Sequence, residues 1–223
     1  MIDFQNVAYN YGGGELLTDI SLRLPPGSFH FLTGPSGAGK STFLKLCYGE
    51  LHPTAGRVTV DDGDLRSLTR DQVAALRRRI GVVHQDCQFL DHLPVAENIA
   101  LPLTATGHPV DREDLSALMG WVGLMPLAQH LPPQLSGGER QRAALARAVI
   151  MSPDVILADE PTGNLDWDMS LRLLTLLIEL NKMGKTVLIA THDLNLIRSA
   201  KSQVPVRVLR IRDRRLQLAG SDL

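Results

Sequence analysis

The chain has 223 residues, 44% of them hydrophobic and 21% charged, with a formal net charge of −1. That composition reads as globular rather than disordered, and its balance of charge gives no general electrostatic grip on nucleic acid. No run approaches the ~18 apolar residues of a spanning helix. Met1-Ile2-Asp3-Phe4 lacks the pattern of a secretory signal, so a chain soluble by itself is expected. Cys47 and Cys87 make neither a metal spacing nor a disulfide framework, which fits a reducing cytoplasm. Cys47, in an apolar run, is expected in the core. The length suits one large domain or two small ones.

In chain order, Ile2 to Val7 and Leu16 to Leu24 read as short strands around the turn Gly12-Gly13-Gly14. Tyr11 stands just before that turn. It either stacks on a nucleotide base or packs on the sheet edge, and position alone does not choose. Pro25-Pro26-Gly27 turns the chain into the apolar run Phe29 to Thr33. Gly34-Pro35-Ser36-Gly37-Ala38-Gly39-Lys40-Ser41 follows, and then the helix-patterned Thr42 to Cys47. Strand, glycine-rich loop and helix form the context of a phosphate-binding loop. Glycine lets backbone N–H groups curl around phosphate oxygens, and the helix points its positive end at the same anions. Lys40 is expected at the β- and γ-phosphates and the Ser41 hydroxyl on Mg²⁺.

Arg57 to Val60 reads as a strand, Asp71 to Arg79 as a helix and Ile80 to Val83 as a buried strand. Gln85 comes directly after that strand. Ligands of open α/β sheets gather at the carboxyl ends of strands, where a glutamine can hold a metal or a water; a loop glutamine without a role is the other reading. From Asp86 to Met151 strand-like segments vanish. Pro94 to Ala100 and Arg112 to Val122 look helical, which makes 86–151 a helical insertion.

Leu135-Ser136-Gly137-Gly138-Glu139 precedes a long helix expected over Arg140 to Met151. Ser136 and Glu139 have the spacing of a capping box. Serine and two glycines at a helix start also make a second anion cradle, and that cradle would have to serve another chain's nucleotide. Val155 to Ala158 is a buried strand that delivers Asp159 and Glu160 at its end. Asp159 is expected to bind Mg²⁺ and Glu160 to act on the attacking water. Asp166, in the turn Gly163-Asn164-Leu165-Asp166, looks like the cap of an amphipathic helix over Met169 to Asn181. Thr186 to Ala190 is a last buried strand, and His192 just beyond it is placed to sense a γ-phosphate. Val206 to Leu218 alternates and reads as edge strands with solvated arginines.

Taken together, these segments resemble the ATP-binding subunits of ABC transporters over essentially the whole chain. Gly34 to Ser41 is similar to the Walker A loop and Val155 to Glu160 to Walker B. Leu135 to Glu139 matches the signature LSGGE. Gln85 matches the Q-loop glutamine, Asp166 the D-loop aspartate and His192 the switch histidine, and Tyr11 takes the place of the adenine-stacking aromatic.

The resemblance implies an α/β P-loop NTPase with a RecA-like core, an antiparallel β part and a helical subdomain. The core would span 1–85 and 152–223, and the helical subdomain 86–151. It also implies an ATPase using ATP and Mg²⁺, with Glu160, His192 and Gln85 catalytic and Ser41, Gln85 and Asp159 at the metal. Tyr11, Gly34, Pro35, Ser36, Gly37, Ala38, Gly39, Lys40, Ser41 and Thr42 would bind one nucleotide. Ser136, Gly137, Gly138 and Asp166 would complete the site of a second chain in a head-to-tail homodimer.

Glu139-Arg140-Gln141-Arg142 and Pro161 to Asp166 resemble the branch holding lipoprotein-release, macrolide-export and cell-division ATPases. The stretches Gly81 to Asp86 and Val95 to Leu103 are most similar to the cell-division members. That implies an FtsX-like integral membrane partner, a peripheral place on the cytoplasmic face of the inner membrane, and no nucleic acid. Lipoprotein release or macrolide-type export is the alternative.

Overall fold

The computed structural model describes residues 1–219. The chain opens with β1 (Ile2–Asn10), β2 (Glu15–Leu24) and β3 (Phe29–Thr33), then α1 (Lys40–Cys47), β4 (Ala55–Val60), β5 (Gly63–Asp64), α2 (Arg70–Arg78) and β6 (Ile80–Val83). A helical stretch follows: α3 (Val95–Ala105), α4 (Arg112–Trp121) and α5 (Gly137–Val149), with short 3-10 turns between the last two. The chain then returns to alternation with β7 (Val155–Asp159), α6 (Trp167–Lys182), β8 (Thr186–Ala190), α7 (Leu194–Lys201), β9 (Val206–Arg212) and β10 (Arg215–Leu218).

The larger sheet runs β10-β9-β3-β8-β7-β6. All its neighbouring pairs are parallel except β10 with β9. Every residue of β3 and β8 is buried, as expected where helices cover both faces of a parallel sheet. Leu32 pairs with Ala190, and Ala190 pairs with Asp159. Three strands therefore end at one level, and the loops that leave them meet on one edge.

One face of this sheet packs on α1 and the smaller antiparallel sheet β2-β1-β4-β5. Phe4 of β1 and Phe43 of α1 stack at 4.5 Å between ring centroids, and Cys47 is fully buried beside them, as expected. The other face packs on α5, α6 and α7 through Phe29, Phe31, Ile156, Leu173, Leu177 and Ile197. A separate apolar cluster joins α3, α4 and α5 through Ile99, Met119, Val122, Leu124, Ala143 and Ala146.

Several expectations need correction. α5 starts at Gly137, not Arg140, because the capping box at Ser136 admits both glycines to the first turn. β9 is not an edge strand: it lies between β3 and β10, with Val208, Leu209 and Ile211 buried. α7 was not anticipated; Asp193 caps it and Leu196, Ile197 and Ala200 form its buried stripe. α3 runs on through Pro102 to Ala105, since a proline there forfeits one hydrogen bond without ending the helix.

Candidate functional site

The loop 34–39 leaves the centre of the parallel sheet and enters α1. Two glycines are required by space and conformation. A Cβ on Gly34 would lie 2.9 Å from the Ile211 carbonyl oxygen. Gly39 has φ +99, and a Cβ there would press on Leu17 at 3.0 Å. Ala38 N–H donates to Pro35 O at 3.1 Å and closes the loop.

Helix α1 has no side-chain cap. By contrast, Thr69, Asp111, Ser136, Asp166 and Asp193 cap α2, α4, α5, α6 and α7. Phe43 N–H donates to Gly39 O at 2.8 Å, the first bond of the helix, so the N–H groups of the preceding turn need a partner from outside it. An anion such as phosphate would suit that place, with the helix dipole favouring it.

A cavity of about 600 Å³ opens at this point. Gly34 to Gly37, Gly39 to Thr42, Gln85, Asp159, Glu160 and His192 line it, together with Leu16 and Gly163. The walls therefore come from the start of β2 and of α1 and from the loops that leave β3, β6, β7 and β8. Lys40 is 9% exposed. Its Nζ donates to Gly34 O at 3.0 Å and Pro35 O at 3.4 Å and lies 3.4 Å from Glu160 Oε1. His192 Nδ1 lies 3.1 Å from both carboxylate oxygens of Glu160. Glu160 has φ +44, a left-handed conformation that costs a non-glycine residue about 1–2 kcal/mol. Its N–H donates to Ala190 O at 2.8 Å and holds that turn against β8.

The Asp159 side chain carries a buried oxygen, Oδ1, with no hydrogen-bond partner. A buried carboxylate oxygen left unpaired is costly unless a cation or water joins it. Among the described residues, no group of three His, Cys, Asp or Glu side chains closes around a metal. Mg²⁺ in nucleotide sites is held by one or two protein groups plus phosphates and waters. The donors fit: a carboxylate, the Ser41 hydroxyl and the Gln85 amide, all on the cavity wall.

Tyr11 is 64% exposed, and its hydroxyl shares a 3.1 Å hydrogen bond with Thr42 Oγ1. Its ring meets Tyr9 edge-on at 4.8 Å. It thus touches both the sheet and the phosphate-loop helix, with its body left open.

Ser136, Gly137, Gly138 and Asp166 do not reach this cavity. Ser136 N–H and Oγ–H donate to Glu139 Oε2 at 2.8 and 2.7 Å, which holds the Glu139 carboxyl below its usual range. A Cβ on Gly138 would meet Met169 Cε at 2.7 Å. Asp166 Oδ1 accepts from Met169 N–H at 2.9 Å.

Sequence reasoning missed Leu16, an apolar strand residue with nothing to mark it as a wall. It also missed the buried Gln141, whose Nε2 donates to Gln85 O at 3.3 Å. A polar residue inside the helix after the signature was the only signal.

Comparison with known proteins gives a consistent picture. The family profile described as ABC transporter matches residues 17–163. The chain is 48% identical over 201 residues to the cell division ATP-binding protein FtsE of Haemophilus influenzae, covering 88% of this chain and 92% of that one. It is 41% identical over 207 residues to the protein of the same name from Bacillus subtilis, covering 92% and 91%. Among solved structures, the ATP-binding cassette MJ0796, in a dimeric post-hydrolysis state bound to ADP and phosphate, superposes with a TM-score of 0.86. It shows 34% identity and 97% coverage of both chains.

Proposed function

The chain belongs to the ABC transporter ATP-binding family, an ATPase family, and from that membership we propose that it is the ATP-hydrolysing subunit of an FtsEX-type complex in cell division. The reading rests on its resemblance to relatives named FtsE along nearly their whole length. Among the described residues no helix is long and apolar enough to cross a membrane. Its work at a membrane would pass through an FtsX-like partner that holds it on the cytoplasmic face.

In this proposal the N–H groups of 36–42 and Lys40 bind the β- and γ-phosphates, and Tyr11 stacks on the adenine. Ser41, Asp159 and Gln85 hold Mg²⁺, which would draw charge from the phosphates as the bond to the γ-phosphate breaks. Glu160 orients the attacking water for an in-line approach and accepts its proton, while His192 contacts the γ-phosphate. Two chains would meet head to tail, each lending Ser136, Gly137, Gly138 and Asp166 to the other's nucleotide. ATP joins the two surfaces and hydrolysis parts them, which makes a rigid-body switch.

For hydrolysis itself, the carrying observation is the meeting of Lys40, Glu160 and His192 over one uncapped helix start. The test has two arms. The purified chain should hydrolyse ATP, with loss of turnover in Glu160→Gln. In cells, the tagged chain should co-purify with an FtsX-like membrane protein and gather at the division site. Turnover together with a uniform membrane distribution would refute the division role and leave the ATPase.

A further inference from the structure

The segment 85–89, which carries Gln85 to the cavity, is fastened to α5 along its length. Gln141 Nε2 donates to Gln85 O at 3.3 Å. Arg147 Nη1 donates to Gln88 O at 2.6 Å. The guanidinium of Arg147 lies 4.6 Å from the centroid of the Phe89 ring, and that of Arg140 lies 5.7 Å from it. The same helix begins at the Ser136 cap.

Gln141 is an odd choice if its task is stability alone. It is 4% exposed, and its Oε1 is buried without a hydrogen-bond partner. A buried amide that meets only part of its bonding capacity carries the desolvation cost of the rest. A leucine of similar size would lose one weak bond and remove the orphaned oxygen. An unmet buried acceptor instead suits a group that must hold one main-chain atom in place.

We propose that Gln141 is a positioning residue for ATP hydrolysis: by gripping the main chain of Gln85 it sets how the Gln85 amide meets the metal beside Asp159 and Ser41. The proposal rests on the function proposed above, in which Gln85 serves Mg²⁺. Gln141 touches neither substrate nor metal. It acts through Gln85, and it ties that residue to the helix whose first turn faces a second chain.

The test uses the full chain in a Glu160→Gln background, so that turnover does not enter, with Mn²⁺ as the probe, titrated by electron paramagnetic resonance in the presence of ATP. Gln141→Leu should weaken Mn²⁺ binding about tenfold to a hundredfold, the usual effect of removing a group that orients a ligand. Metal-free ATP binding should change less than about twofold, because the phosphate loop is untouched. In a Gln85→Ala chain the same substitution should add nothing further, since it has nothing left to orient. Unchanged Mn²⁺ affinity in Gln141→Leu, or a further loss on top of Gln85→Ala, overturns the proposal.

Gln141→Asn provides a second arm if the leucine variant does not fold. It keeps an amide but is one methylene too short to hold Gln85 O, so Mn²⁺ affinity should fall as in the leucine variant; unchanged affinity overturns the proposal. A parent chain that binds no ATP defeats the function itself. A parent that binds ATP and Mn²⁺ while Gln141 proves indifferent defeats only this assignment.

Discussion

Lys40 Nζ lies 3.4 Å from Glu160 Oε1, and both side chains are nearly buried, at 10% and 12% exposure. The cation proposed for the phosphates and the carboxylate proposed for the water are thus partners of each other. His192 touches the same carboxylate. A γ-phosphate entering between them would draw Lys40 away and leave Glu160 free to face water. Removing either group therefore has a different consequence.

Glu160→Gln keeps the shape of the side chain and removes the base. ATP should bind at least as well, and turnover should fall by about 10²–10⁴, the usual weight of a positioned base. Size-exclusion chromatography should show a stable ATP-bound dimer. Lys40→Ala should instead abolish nucleotide binding by calorimetry. Turnover at the parent rate in the glutamine variant would remove Glu160 from its role.

The composite site can be tested by mixing. Lys40→Ala spoils the phosphate loop, and Gly138→Asp places a charge and a Cβ against Met169 at the start of α5. Each variant alone should be inactive. Mixed in equal amounts, they should form some pairs with one intact site, and ATPase activity should return. A mixture as silent as its components would mean that the second chain contributes nothing.

Tyr11 holds its ring clear of the core while its hydroxyl meets Thr42. Tyr11→Ala should weaken ATP binding by about 1–3 kcal/mol, the range for a lost base–aromatic stack. Tyr11→Phe should stay near the parent, since the stack persists without the hydroxyl. Equal losses in both variants, measured by fluorescence titration, would make the hydroxyl bond the active element and dismiss stacking.

His30 is fully buried in β3, and neither ring nitrogen finds a hydrogen-bond partner. Burial, helped by the charge of Arg207, pushes its pKa down to about 4. The unfolded chain then binds the proton more readily, so stability falls as pH drops below about 6.5 and the loss is complete near 4. The full loss is about 3 kcal/mol. Urea unfolding at pH 7.5 and pH 5 should show this slope in the parent and a shallower one in His30→Leu. Equal slopes would place the acid sensitivity elsewhere.

The phosphate loop and the Asp159-Glu160 pair were legible because each concentrates its chemistry in consecutive residues at a strand end. β6, β7 and β8 could be read from their short apolar runs, and β3 from one interrupted by His30. The position of β9 could not, because strand order depends on which neighbour a strand meets and β9 alternates like an edge. Paired glycines read as a break and put the expected start of α5 too late, although the Ser136–Glu139 cap makes them its first turn. The contact between Gln141 and Gln85 joins residues far apart in the chain, and no local pattern announces it.

The missing cap on α1 has a consequence for handling the protein. Five other helices carry a side-chain end-piece and α3 is closed by the carbonyls of His130 and Ala128, whereas this one would take its end-piece from the proposed nucleotide. Fuel is then also a structural part, and melting temperature should climb with the concentration of ATP, as any ligand of the native form alone requires. Purification that strips nucleotide leaves the protein in its most fragile state, and a cell depleted of ATP would weaken this chain before it merely idled it.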